Sequence, residues 1–170
     1  MRRSTSATGA LRRRTLTICI VLMFLLVAAG FASAQGSTVT KWTLGDRESP
    51  LMHPGMSCID CHAKGEGPRF LIAGTVFQSL AEADDVYGVK DVTVQITDAK
   101  GKVFKLTTNA SGNFFLEARG NTLTAPFTAK VIVNGKERAM GSPQSSGSCN
   151  VCHTAKGVNG APGRIIVPQA

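Results

Sequence analysis

Between residues 70 and 140, apolar and polar residues alternate in short runs separated by turn-forming clusters. Phe70-Leu71-Ile72-Ala73-Gly74-Thr75-Val76-Phe77 is an apolar run that predicts a first strand. Val92, Val94 and Ile96 alternate with Thr93, Gln95 and Thr97, the period of two that sends successive side chains to opposite faces of a half-buried strand. Asp98-Ala99-Lys100-Gly101 predicts a turn, Val103 to Thr108 the next strand, and Asn109-Ala110-Ser111-Gly112-Asn113 another turn. Phe114-Phe115-Leu116 follows, and then Phe127, Ala129, Val131 and Val133 mark a further strand. Asn134-Gly135 is a hairpin turn, because both residues tolerate positive φ, and Lys136 to Met140 is the returning strand. Short strands, frequent turns and no helical period predict an all-β fold, a small antiparallel β-sandwich over 68–141 flanked by irregular segments.

The first 34 residues have a different texture. Arg2, Arg3, Arg12, Arg13 and Arg14 precede an apolar run from Leu16 to Gly30, and Phe31-Ala32-Ser33-Ala34 ends it. A basic start, an apolar stretch and an Ala-x-Ala site predict a secretory signal peptide over 1–34, cut between Ala34 and Gln35. The fifteen-residue run from 16 to 30 is short against the ~20 residues of a bilayer-spanning helix, so membrane contact is expected only if the peptide stays uncleaved. Cys19 lies inside that run in a poor lipoprotein context.

Removing the signal changes what composition implies. The chain carries 19 Lys+Arg and 11 Asp+Glu for a net +8; losing the five arginines leaves 14 and 11, a net +3. The basic balance is therefore mainly a targeting feature, and it gives no ground for nucleic-acid binding. Five cysteines become four once Cys19 is gone.

All four lie in two copies of one pattern, Cys58-Ile59-Asp60-Cys61-His62 and Cys149-Asn150-Val151-Cys152-His153. Cys-x-x-Cys-His is the attachment signature of c-type haem. Two thiols bond to the two vinyl groups on one porphyrin edge, and the histidine turns under the ring to ligate iron. Other readings of Cys-x-x-Cys are half of a four-thiolate zinc site, a redox dithiol or a structural disulfide. None of these calls for a histidine directly after the second cysteine. The expected cofactors are two covalently attached haems, with Cys58, Cys61 and His62 holding the first and Cys149, Cys152 and His153 the second. The lead-in 35–67 then becomes the segment of haem 1, and 142–170 that of haem 2.

Each iron needs a second axial ligand to be saturated. His53 is the one histidine outside the motifs, and Met52, Met56 and Met140 are the methionines left after the signal. Met56 is too close to Cys58 to reach over its own haem. His53, five residues before Cys58, has at most ~17 Å of backbone reach, at ~3.5 Å per residue, and Pro54 stiffens it. A crossed arrangement is therefore expected, with His53 on haem 2 and Met140 on haem 1. Core packing is the alternative role for Met140, and an ordinary structural role for His53. Trp42 either covers haem 1 or packs on the sheets. Arg164, in a glycine- and proline-rich tail expected to be irregular, either pairs with a haem propionate or is solvated.

Gly74-Thr75-Val76, Gly88-Val89-Lys90-Asp91-Val92-Thr93-Val94, Asp98 through Gly101 and Thr107-Thr108-Asn109-Ala110-Ser111-Gly112-Asn113-Phe114 together resemble the carboxypeptidase regulatory-like domains. The resemblance covers roughly 70 to 140. It implies a transthyretin-like sandwich, in modules that are mostly accessory or adhesive, and it implies no activity. The flanks, with His53-Pro54-Gly55-Met56-Ser57 ahead of the first motif, are similar to exported dihaem and multihaem cytochromes. The expected function is an electron carrier, not an enzyme, exported to the periplasm or outer surface of a bacterium. Its expected partners are a redox donor and acceptor, with self-assembly into an oligomer or filament left open. The alternatives are a peroxidase-like or gas-binding protein with one open iron, and a surface-binding module.

Overall fold

The computed structural model describes residues 40–65 and 67–169. The signal peptide, its cleavage site, Cys19 and residues 35–39 lie outside the described residues. Among those described, no helix is long and apolar enough to cross a membrane.

Among the described residues, seven strands form two sheets and two short helical turns accompany them. In order they are α1 (Cys58–His62), β1 (Phe70–Phe77), β2 (Thr93–Thr97), β3 (Val103–Thr107), β4 (Asn113–Glu117), β5 (Thr128–Val133), β6 (Lys136–Ala139), α2 (Cys149–Cys152) and β7 (Ile165–Ile166). The expected all-β architecture is observed. One sheet runs β3-β2-β5-β6, antiparallel throughout, and the other β4-β1-β7.

The larger sheet follows from its alternation. Val94 and Ile96 are buried while Thr93, Gln95 and Thr97 are only partly so. Val94 pairs with Val131, and Ile96 with Ala129. At the tip of the β5–β6 hairpin Asn134 has φ 50° and Gly135 φ 78°, the double left-handed turn that matches strand twist. Ile72, Val76, Phe114 and Leu116 of the smaller sheet meet Val94, Ile96, Phe104 and Val131 of the larger in one core.

β1 differs from the others. Six successive residues, Ile72 to Phe77, are buried, so both of its faces are covered. Ile72 and Val76 face the shared core, while Ala73, Thr75 and Phe77 lie against the segments that bear the two cysteine motifs. A strand covered on both sides reads as an unbroken apolar run, and Phe70–Phe77 is one.

The tail departs from its expected irregularity. Ile165 and Ile166 pair in parallel with Val76 and Phe77 as β7, and Ile166 and Val167 are buried. Two residues between Gly163 and Pro168 carry no readable period. They become a strand only because β1 offers an open edge.

Candidate functional site

Each cysteine motif occupies one helical turn. Residues at i, i+3 and i+4 share a face of a helix, so the spacing puts both thiols and the imidazole on one side. In α1 that is Cys58, Cys61 and His62; in the second motif α2 ends at Cys152 and His153 follows as its cap. All four cysteines are free thiols. Burial pushes the Cys58 thiol up to about 11, with a smaller push from Cys61. Burial likewise raises Cys149 to about 12, with Cys58 adding to it. A redox dithiol works through a lowered thiol pKa, and these two are moved the other way.

The histidines are held alike. His62 Nδ1 lies 2.7 Å from the Pro68 carbonyl and His153 Nδ1 2.8 Å from that of Gly163. A carbonyl only accepts, so in both rings Nδ1 carries the proton and Nε2 keeps its lone pair for a metal. The His62 ring also packs on Phe70 at 4.4 Å, and Phe70 stacks on Phe115. On its other side stands Gly67, where an added Cβ would come within 2.7 Å of the imidazole. Two free thiols and a pre-oriented imidazole on one face form the donor set that a covalently held haem requires. Among the described residues, no three His, Cys, Asp or Glu side chains converge on a point where they would hold a bare metal ion.

Beside the second motif lies a cleft of about 320 Å³. Cys149, Cys152 and His153 form one part of its wall, and Met140, Arg138 and Lys130 of the β5–β6 region another. Met140, half-buried just beyond β6, therefore shares a cavity with the second motif. The crossed arrangement pairs Met140 with haem 1; this cleft sets it beside the second motif.

His53 is engaged elsewhere. Its Nδ1 bonds Asp85 at 2.9 Å, its ring meets Trp42 edge-on at 6.1 Å, and its Nε2 is buried with no hydrogen-bond partner, 3.4 Å from Asp46. It does not line the cleft of the second motif. Trp42 is itself buried, with its indole N–H donated to Gly45.

Arg164 is neither solvated nor free for a propionate. It is 2% exposed and donates to the carbonyls of Glu82, Gly55 and His153 at 2.9, 3.0 and 3.2 Å, and to the Asp84 carboxylate. Its guanidinium sits 5.0 Å over the Phe77 ring. The arginine thus joins the lead-in, the 82–84 loop and the second histidine's own backbone.

The strongest feature invisible in the sequence is the contact between the two motifs. Ser57 Oγ and Ser148 Oγ, each directly ahead of a first cysteine, are 2.9 Å apart. Thr75 of β1 lies at the centre of a buried polar network beside them. Its hydroxyl donates to Asn113 Oδ1 at 2.8 Å and accepts from the Gly55 N–H at 2.8 Å and Asn150 Nδ2 at 3.1 Å. Asn113 in turn donates to the Met52 carbonyl, and Asn150 to that of Met56, both at 2.9 Å. Such buried polar groups need partners, and each here has one. No local pattern announces the network, since its members are drawn from four separate stretches of chain. Compared with known proteins, the chain matches no protein-family model, no curated protein and no solved structure.

Proposed function

We propose that this chain is an exported dihaem c-type cytochrome that carries electrons between redox proteins. The observation that carries the reading is the repeated setting of the histidine. In both motifs the imidazole directly after the second cysteine is locked to a main-chain carbonyl through Nδ1, with Nε2 left to ligate. A histidine that holds a metal usually has its other nitrogen fixed in this way, which sets tautomer and ring orientation together. Structural cysteines and redox dithiols have no need of it.

When bound, the haem supplies an iron that accepts and releases one electron. The chain does the rest. Cys58, Cys61, Cys149 and Cys152 anchor the porphyrin edges, and His62 and His153 supply proximal nitrogens. Met140, on the wall of the second cleft, would hold the second iron together with His153. Arg138 lines the same cleft and would suit a propionate, whereas Lys130 is paired there with Glu137 at 2.8 and 2.9 Å. The two sheets are the scaffold, a sandwich of the transthyretin and carboxypeptidase regulatory-like type, and β1 is the rail on which both haem segments sit. Attachment of haem to thiols takes place after export, so the arginine-rich leader and the motifs point to the same compartment, the periplasm or outer cell surface.

The test is the intact mass of the protein secreted from a host with cytochrome maturation. The expected mass is that of residues 35–170 plus two haems. A haem-free chain that retains zinc under native conditions would refute the reading. A high-spin band that shifts with peroxide or carbon monoxide would replace electron carriage with catalysis or gas binding.

A further inference from the structure

We infer that the two motifs carry their haems as one electronically coupled pair, with the edges bound by Cys58 and Cys149 turned toward each other and Asn150 setting the distance between them. The inference rests on the haem reading above and adds an arrangement to it.

Two observations lead there. Ser57 and Ser148 stand at the N-cap positions of the two helical turns, yet neither makes a side-chain capping bond. A capping serine ordinarily stabilises its helix by accepting a bond from a free N–H of the first turn. Both hydroxyls give up that role and bond each other instead, at 2.9 Å. The residues that follow them in the chain are Cys58 and Cys149, so the first thioether of each haem grows from adjoining points.

Asn150 is the second observation. Haem attachment makes no demand on the residue after the first cysteine, and a polar one there would ordinarily face water. Asn150 is instead 4% exposed. Its Oδ1 accepts the Thr75 N–H at 3.1 Å, and its Nδ2 donates to the Thr75 hydroxyl and to the Met56 carbonyl, two residues ahead of Cys58. One side chain of the second motif thereby grips both the central strand and the backbone leading into the first motif. Asn150 touches neither thiol nor iron, so it is a positioning residue.

The experiment is circular dichroism of the full matured chain in the strong blue haem band. Two coupled rings give a two-signed couplet, whose strength falls steeply with their separation. A couplet is expected for the natural protein. Single-signed bands are expected for the one-haem variants Cys58→Ala/Cys61→Ala and Cys149→Ala/Cys152→Ala. Asn150→Ala should keep two haems by mass and lose at least half of the couplet. Ser57→Ala, which removes one partly exposed hydroxyl, should lower it by a smaller fraction, and it decides the matter if Asn150→Ala does not accumulate. Two attached haems whose spectrum equals the sum of the one-haem variants would overturn the pairing and leave the haem reading standing. A couplet untouched in both Asn150→Ala and Ser57→Ala would overturn the positioning role. A matured chain without haem would overturn both proposals.

Discussion

Replacing Thr75 with valine tests the polar network with little change of shape. Valine matches threonine in size, so the cavity contribution is near zero and the loss is that of the hydroxyl. Thr75 is fully buried, and its hydroxyl makes three bonds. Asn150 Nδ2 retains the Met56 carbonyl, but the Gly55 N–H and Asn113 Oδ1 are left without a partner. Each buried group so orphaned costs about 1–3 kcal/mol, so the substitution should destabilise by about 3 kcal/mol. For a domain of this size about 1 kcal/mol corresponds to about 4 °C, so Tm should fall by about 12 °C. The control is Thr107→Val, on the exposed face of β3, where a change within about 0.5 kcal/mol is expected. Urea denaturation of both holoproteins, followed by far-UV circular dichroism, gives the comparison. If Thr75→Val loses less than about 1 kcal/mol, the network does not hold the lead-in to β1 and the packing argument fails.

Further outcomes follow from the same geometry. Met140→Ala should leave two haems attached, abolish the methionine-to-iron absorption band and lower one of two reduction potentials, as redox titration would show. Arg164→Met should cost about 2–4 kcal/mol in a urea titration, because three carbonyls lose their donor. The Asp84 pairing adds little to that figure, since the Asp84 side chain is 59% exposed. Arg164→Lys should not rescue it, for want of the guanidinium fork. Burial pulls the Asp98 carboxyl upward, but the N–H groups of Lys102, Thr124 and Lys100, with the Lys102 charge, outweigh it and hold the pKa below the usual range. Its stabilisation is thus fully present above the ordinary aspartate value of ~3.9 and is lost as pH falls through the lowered value. Asp98→Asn should be less stable than the natural protein at pH 7, with the gap closing in acid; a gap constant with pH would refute the assignment.

The strands were legible where local rules suffice. Val92 to Thr97 alternates, Asn134-Gly135 fixes its hairpin, and Asp98 accepts from Lys100 and Lys102 in a turn written within five residues. The two cysteine motifs were legible for the same reason, since one helical turn holds the whole pattern. What escaped is non-local. β7 is two residues long and exists only against β1. Asn150 looks like a free position until Thr75, far off in the chain, is placed beneath it. Arg164 read either as a propionate partner or as a solvated cation, because Gly55 and Asp84 lie 109 and 80 residues away. Met140 was singled out in the sequence, but the cleft it shares with the second motif was not.

The doubly covered strand also has a consequence for timing. β1 forms early in the chain, but its cover arrives late: Ser148 meets Ser57 across 91 residues, and Arg164 meets Gly55 across 109. Contacts this distant are slow to form, because a long loop must close before any of them is rewarded. A chain delivered from its N-terminus therefore shows the first Cys-x-x-Cys-His as an unfolded, reachable segment until the last residues follow. On the proposed dihaem reading, that interval is the window in which an attachment enzyme would reach both thiols. Shortening it by a circular permutation that brings residues 142–169 ahead of β1 should lower the yield of the doubly loaded protein without altering the finished fold.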